Sequence, residues 1–310
     1  MSLQAKNRLR ESPSAKIPKR AWRPRLVTWA PRATELRRAH YDVALDLQGL
    51  VKSAVLARAS GAARVVGFSP RYARERLSRL FYTDAYDPGA GGIYDPRENR
   101  HVVSINLGLL RVLGVTAGDP EFPIARVESE TARAASRQTG GRYALLNPGA
   151  AWPNKRWPPS RFAAVAAELR ARHALMSVVL WGPGEEALAA AVVEGAGGAA
   201  ILPAKTSIAD LVALARGAAL MVSGDTGPTH VAAALGTPIV GIYGPTRPAR
   251  NGPLSPYDIT VSRDAVCKCH HRRRCRLARM CILDIEVAEV MAAVDRRLSA
   301  APGRVGEGQA

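Results

Sequence analysis

Short apolar runs along this chain alternate with segments of helical spacing. The stretch "YDVALDLQGL" places Val43, Ala44, Leu45 and Leu47 in a strand that leads into Gln48-Gly49. "VKSAVLARASGA" predicts a helix stopped at Gly61, and "RVVGF" a second short strand. In "ENRHVVSINLGLLRVLGV" the spacing of Val102, Val103, Ile105, Leu109, Leu110 and Leu113 predicts a helix ended by Gly114. Residues 115–140 pass from proline-containing to polar sequence, close on paired glycines, and read as a link between domains.

Beyond the link the rhythm is regular. "YALLNPGA", "SVVLWGPG", "LMVSG" and "PIVGIYG" are strand patterns, and "SRFAAVAAELRARH", "EEALAAAVVEGAG", "IADLVALARGA" and "THVAAALG" are helical ones. Such alternation predicts βαβ units and a parallel sheet. The expected organisation is a basic, Pro/Arg-rich lead-in over 1–38, a first unit over 39–125 and a second over 140–285. A closing helix over 286–300 and a tail over 301–310 complete it.

Composition narrows this picture. Forty-seven per cent of the 310 residues are hydrophobic, enough for two cores, and aromatics are few. The net charge of +18, carried almost entirely by arginine, suits a polyanionic partner, although base composition of the gene accounts for it equally well. No apolar run reaches the roughly 18 residues of a spanning helix, and no hydrophobic stretch follows the basic start, so the protein is expected in the cytoplasm.

In an open parallel sheet, ligands sit beyond the carboxyl ends of the strands. Three turns fall there: "NPGAAWPNKRW", "WGPGEE" and "GDTGPTH". The last offers free N–H groups at a helix start, with Gly224 and Gly227 permitting close approach, which suits a pyrophosphate. Thr226 and Thr229 supply hydroxyls, and either could cap the helix. Asp225 repels phosphate, so it reads either as an acceptor for sugar hydroxyls or as a plain N-cap. Lys155, one of few lysines, is either a point charge for a departing diphosphate or a solvated loop residue. His230 is either structural or a ligand contact, and Trp152 and Trp157 are cleft walls or packing anchors. The absence of a Gly-x-Gly-x-x-Gly or Walker pattern argues against dinucleotide oxidoreductases and P-loop ATPases.

Cys267, Cys269, Cys275 and Cys281 are spaced C-x-C-x5-C-x5-C, weaker than paired C-x2-C as a zinc pattern. Arg272, Arg273, Arg274 and Arg276 oppose a bare cation, so reduced thiols or a redox-labile loop are expected, with no metal and no cofactor.

Together these motifs resemble the ADP-heptose:lipopolysaccharide heptosyltransferases, glycosyltransferase family 9, over roughly residues 20–298. "YDVALDLQGLVKSAVLARASGAARVVGF" looks like that family's Asp-x-Gln-Gly-Leu strand and Lys-Ser helix, and "NRHVVSINLGLLRVLG" is similar to its His-x-x-x-x-Asn helix. "LLNPGAAWPNKRWP" resembles its Lys-x-Trp-Pro loop, and "VSGDTGPTHVAAALGTPIVGIYGPT" its Asp-Thr-Gly-x-x-His motif. The cysteine-containing loop also resembles a feature of many members. The resemblance implies an α/β GT-B fold of two Rossmann-like domains with parallel sheets, the first of them incomplete. It implies an ADP-sugar donor on the second domain and a phosphorylated lipid A/Kdo acceptor on the first, met at the inner leaflet of the cytoplasmic membrane. Lys155 would bind the diphosphate, with Asp225, Thr226, Gly227 and His230 on the heptose and phosphates. Glu186 would reach the ribose, and Thr206 and Ser207 the adenosine. Gln48, Lys52, Arg71, Arg74 and Arg76 would face the acceptor.

The implied reaction is an inverting displacement of ADP without a metal, which the lack of an Asp-x-Asp motif in the C-terminal half suits. The family's opening Arg-x-Ser-x-x-Gly-Asp loop, whose aspartate is the base, has no counterpart here. The pattern is entered near "RAWRPRL", which predicts either a start codon upstream or a catalytically impaired sugar-nucleotide binder. Asp42 and Asp46 are the nearest acids, and neither is expected to replace the base. The missing strand would leave an unpaired sheet edge. A nucleic-acid binder is the remaining alternative, but no aromatic platform or recognition-helix pattern supports it.

Overall fold

The structure is a computed structural model that describes residues 29–300 apart from positions 90, 96, 271 and 276. Of the lead-in read as irregular, 1–28 lie outside the described residues, as does the tail over 301–310. Trp29–Arg38 is a helix, α1, which corrects that reading. Pro31 is tolerated because it lies in the first turn, where N–H groups have no intrahelical partner. Arg37 and Arg38 suit the last turn, where carbonyls carry the negative end of the helix dipole.

Three strands form the first sheet: β1 (Val43–Leu45), β2 (Arg64–Phe68) and β3 (Asp84–Tyr86), parallel and in that order. Helix α2 (Val51–Ala59) joins the first two strands. After β3 come α3 (Val102–Leu107) and a 3-10 turn over Gly108–Leu113. Alternation along β2 sends Val65 to Ala54 and Tyr82 on one face, and Val66 and Phe68 to Ile105 and Leu109 on the other. Among the described residues β1 pairs only with β2, and Tyr41, Leu45 and Leu47 are exposed beside it.

The link contains an unforeseen helix, α4 (Glu130–Thr139), whose N-cap Ser129 accepts the Ala132 N–H at 3.0 Å. The second sheet follows with β4 (Tyr143–Asn147), α5 (Pro159–His173), β5 (Met176–Val179), α6 (Glu186–Gly195) and β6 (Ala200–Ile201). Then come α7 (Ile208–Gly217), β7 (Leu220–Gly224), α8 (Gly227–Ala234), β8 (Ile239–Tyr243), α9 (Pro248–Asn251) and β9 (Ile259–Ser262). All six strands are parallel, in the order β6-β5-β4-β7-β8-β9. The chain runs outward from β4 to one edge, returns, and runs outward from β7 to the other. The reversal opens a crevice between β4 and β7 at their carboxyl ends.

Helix α10 (Val287–Ser299) packs Val290, Met291, Ala293 and Val294 into the larger core. Arg297 Nε donates to Asp258 Oδ1 at 2.8 Å, both side chains being almost fully buried. Two side chains tie the sheets together: His101 Nε2 lies 2.8 Å from the Gly252 carbonyl, and Arg247 Nη1 donates to the Asp95 carbonyl at 2.6 Å. The Val103 N–H points at His101 Nδ1 at 3.2 Å, so the ring carries its proton on Nε2. No described helix is long and apolar enough to cross a membrane.

Trp157 anchors the larger core. It is 2% exposed, meets Phe162 edge-on at 5.2 Å between centroids, and donates its indole N–H to the Ile285 carbonyl at 2.9 Å. Trp157→Ala leaves a cavity and removes one of the two donors to the Ile285 carbonyl, the other being Arg161 Nη1, and is expected to destabilise the fold by about 3–5 kcal/mol in chemical denaturation. A loss under about 1 kcal/mol would mean that Trp157 does not anchor this core.

Candidate active site

A cavity of about 410 Å³ opens at the β4/β7 crevice. Its walls come from the loops after β4, β5 and β7 and from the start of α7. Lys155, Thr206, Ser207, Asp225, Thr226 and Gly227, each picked out from the sequence, all line it.

Its centre is an ion pair. Lys155 Nζ lies 2.6 Å from Asp225 Oδ2, and the side chains are only 15% and 9% exposed. The ammonium also sits over the Trp152 ring, 4.6 Å from its centroid. His230 Nε2 lies 3.2 Å from Asp225 Oδ1, so both carboxylate oxygens are engaged. His230 itself is about half exposed and does not belong to the lining. Burial works to raise the Asp225 pKa, but the His230 hydrogen bond and the charge and hydrogen bond of Lys155 outweigh it. The carboxyl is thus held below its ordinary value. Lys155 carries three N–H donors, so pairing with Asp225 leaves two for a ligand.

Asp225 is not the cap of α8. Thr226 holds that position, and its hydroxyl belongs to a buried polar ladder rather than to the helix N–H groups. Asn147 Nδ2 donates to Thr226 Oγ1 at 2.9 Å, Thr226 and Thr229 hydroxyls are 2.9 Å apart, and Thr229 donates to the Gly224 carbonyl at 2.6 Å. The ladder fixes the turn while leaving the first N–H groups of α8 without side-chain caps.

One of the sequence-picked residues, Glu186, lies outside the lining. Glu186 begins α6 and is exposed, whereas Glu185 lines the cavity. The tight turn at Gly184, with φ +82, brings Glu185 back so that its Oε2 accepts the Gly182 N–H at 3.2 Å. A Cβ on Gly149 would fall 2.2 Å from that oxygen, so only glycine lets the two loops meet without displacing the carboxylate. Ser207 is present, but its hydroxyl is committed to capping α7 through Asp210. The sequence reading missed Asn147 and Glu185; a polar residue closing an otherwise apolar strand was the available signal for the first.

The residues expected to face an acceptor lie on the first unit. Gln48 lines a separate cavity of about 440 Å³ beside β1, while Lys52, Arg71, Arg74 and Arg76 are exposed. Asp46 is buried and accepts from the Gln48 and Gly49 N–H groups, the Ser53 hydroxyl and the Tyr82 hydroxyl at 2.6–3.2 Å. Its lone pairs organise the turn into α2 and have no capacity left for a reacting proton. Asp42 is exposed.

Two parallel sheets, with a polar crevice at the reversal point of the second, define a GT-B protein. Solved structures share the architecture. A glycosyl transferase family 9 protein from Veillonella parvula aligns with a TM-score of 0.67 at 24% identity, over 86% of this chain and 76% of that one. The E. coli heptosyltransferase WaaC with ADP aligns at 0.64 and 23%, over 87% and 80%. The profile of glycosyltransferase family 9 (heptosyltransferase) matches residues 31–280, and the chain belongs to that family. It is 30% identical to lipopolysaccharide heptosyltransferase 1 of Pseudomonas aeruginosa over 239 residues, 77% of this chain and 64% of that protein. The E. coli K12 enzyme of the same name is 29% identical over 70% of this chain. The chain therefore spans about two thirds of the length of these relatives, 64% and 65%.

The lowered Asp225 pKa sets a sign for pH dependence. The folded carboxyl titrates below the ordinary 3.8, so the pair stabilises fully above that pH. Its contribution is lost as pH falls through the lowered folded value. Thermal midpoints of the wild type and Asp225→Asn are expected to differ at neutrality and to draw together progressively as the pH is lowered below 3.8. A gap that does not change with pH would show that this carboxylate contributes nothing through its charge.

Proposed function

We propose that the protein transfers heptose from ADP-heptose to the Kdo/inner-core region of lipopolysaccharide, with inversion and without a metal at the donor site. Lys155 held by Asp225 beside the N-terminus of α8 carries this reading. An acceptor hydroxyl forms a bond to the anomeric carbon while the bond from that carbon to the diphosphate oxygen breaks. The departing ADP keeps the electron pair, and a base on the acceptor side takes the hydroxyl proton. The free N–H donors of Lys155 and of the α8 N-terminus face the charge that develops on the leaving diphosphate. Glu185 is suited to accept from ribose hydroxyls, and Thr206 lines the same cavity and is suited to the adenosine.

In this reading residues 140–285 form the donor domain and 39–125 the acceptor domain. Lys52, Arg71, Arg74 and Arg76 meet a phosphorylated lipid at the inner membrane face. The net charge of +18 favours such an encounter.

A second reading, a sugar-nucleotide binder impaired in transfer, has one observation in its favour. Of the two acids nearest the missing base loop, Asp46 is fully engaged and Asp42 points to solvent. ADP-heptose binding by calorimetry together with product formation on a Kdo-lipid acceptor separates the two. Binding with transfer supports the first, binding alone the second, and no binding overturns both.

If transfer occurs, Lys155→Ala is expected to lower kcat about 10²–10³-fold through loss of leaving-group stabilisation. An unchanged kcat would remove Lys155 from the chemistry. Glu185→Ala is expected to weaken ADP binding in calorimetry while Glu186→Ala leaves it unchanged; the reverse order would restore the register read from sequence.

A further inference from the structure

The four cysteines are not scattered along their loop. Cys267, Cys269 and Cys281 are buried together, Cys275 packs against them, and all four are free of disulfides. The sulfurs of Cys267 and Cys269 lie 3.3 Å apart. Two N–H groups point into the cluster: the Cys269 amide at Cys267 Sγ, 3.4 Å away, and Asn154 Nδ2 at Cys269 Sγ, 3.8 Å away. His270 is turned aside, with its ring nitrogens 2.9 Å from the Pro245 and Asp264 carbonyls. Among the described residues the cluster is therefore all sulfur.

We propose that Cys267, Cys269, Cys275 and Cys281 form a tetrathiolate site for a Zn²⁺-class ion that anchors the loop bearing Lys155. Asn154 makes the connection. It is 2% exposed, directly precedes Lys155, touches the sulfur cluster, and donates to the Arg272 carbonyl at 2.9 Å. The site is thus structural and lies apart from the donor cavity.

Among the described residues no group of three or more His, Cys, Asp or Glu side chains is already spaced to hold a metal. One pair of thiols, Cys267 and Cys269, stands closer than coordination permits. Tetrahedral Zn–S bonds of about 2.3 Å put sulfurs roughly 3.8 Å apart. Opening the 3.3 Å pair to that separation takes roughly half an ångström, within reach of cysteine side-chain torsions. Binding converts four thiols to thiolates and releases four protons as four metal–sulfur bonds form.

The flanking charge, which from sequence argued against a cation, favours the loaded site. One divalent ion and four thiolates sum to −2, and the same loop carries the exposed cations Lys268, Arg272, Arg273 and Arg274. Arginines repel a bare cation but stabilise a metal tetrathiolate.

Plasma mass spectrometry on the full chain, purified without chelator, is expected to find about one zinc or iron per chain. A thiol reagent should reach the four sulfurs only after chelation, and chelation should lower the thermal midpoint. Cobalt reconstitution should give the intense absorption of a tetrahedral thiolate complex. Cys267→Ser/Cys281→Ser should lose the ion; if that variant does not fold, the wild-type cobalt spectrum carries the test. Absence of a stoichiometric ion with four freely reactive thiols overturns the proposal, as does a native disulfide. An ion whose removal leaves the midpoint unchanged overturns its anchoring role. None of these readouts depends on heptose transfer, so the site and the proposed reaction fail separately.

Discussion

Everything at the crevice depends on holding an ammonium and a carboxylate together where little water reaches. Each charge offsets the desolvation of the other, so the pair draws the loop after β4 and the loop after β7 together. This meeting turns a reversal in strand order into a shaped site. Asp225 uses one oxygen for Lys155 and the other for His230, which fixes the direction of the ammonium. The polar ladder from Asn147 to Thr229 then holds the turn from beneath, leaving the α8 N-terminus open toward the cavity.

The first sheet uses an equally buried carboxylate for a different purpose. Asp46 gathers two backbone and two hydroxyl donors and so dictates the turn into α2. The two aspartates differ in their partners rather than in their depth. Asp225 faces a cation with spare donors, whereas Asp46 faces neutral groups that use up its lone pairs. One lines the cavity and the other belongs to the scaffold.

The second sheet was legible because its strands are buried on both faces and its helices carry regular apolar stripes. Strands β4, β7 and β8 fall where the apolar runs placed them. Strands β3, β6 and β9, two to four residues long, were missed because such runs carry too little periodicity to separate from loop. Helix α4 was missed because it buries only Ala135 and Thr139, so its sequence looks polar throughout. At the site, loop motifs picked out Lys155 and Asp225 as candidates, but only the fold brings residues 70 positions apart into contact. The Glu185 register escaped because two adjacent glutamates are chemically identical until the turn geometry chooses between them. The cysteine spacing looked poor for a metal because the chain folds back, bringing Cys281 onto Cys267 in a way that spacing alone does not encode.

The seam between the two sheets has a mechanical consequence. His101 and Arg247 each fasten it through a side chain that grips a main-chain carbonyl. Such bonds exchange readily for water, at a net cost of about 1 kcal/mol each. Stitching of this kind resists sliding but gives way to a hinge-like yawning of the halves. How the two halves sit against each other is then open to shift by any molecule that touches both at once.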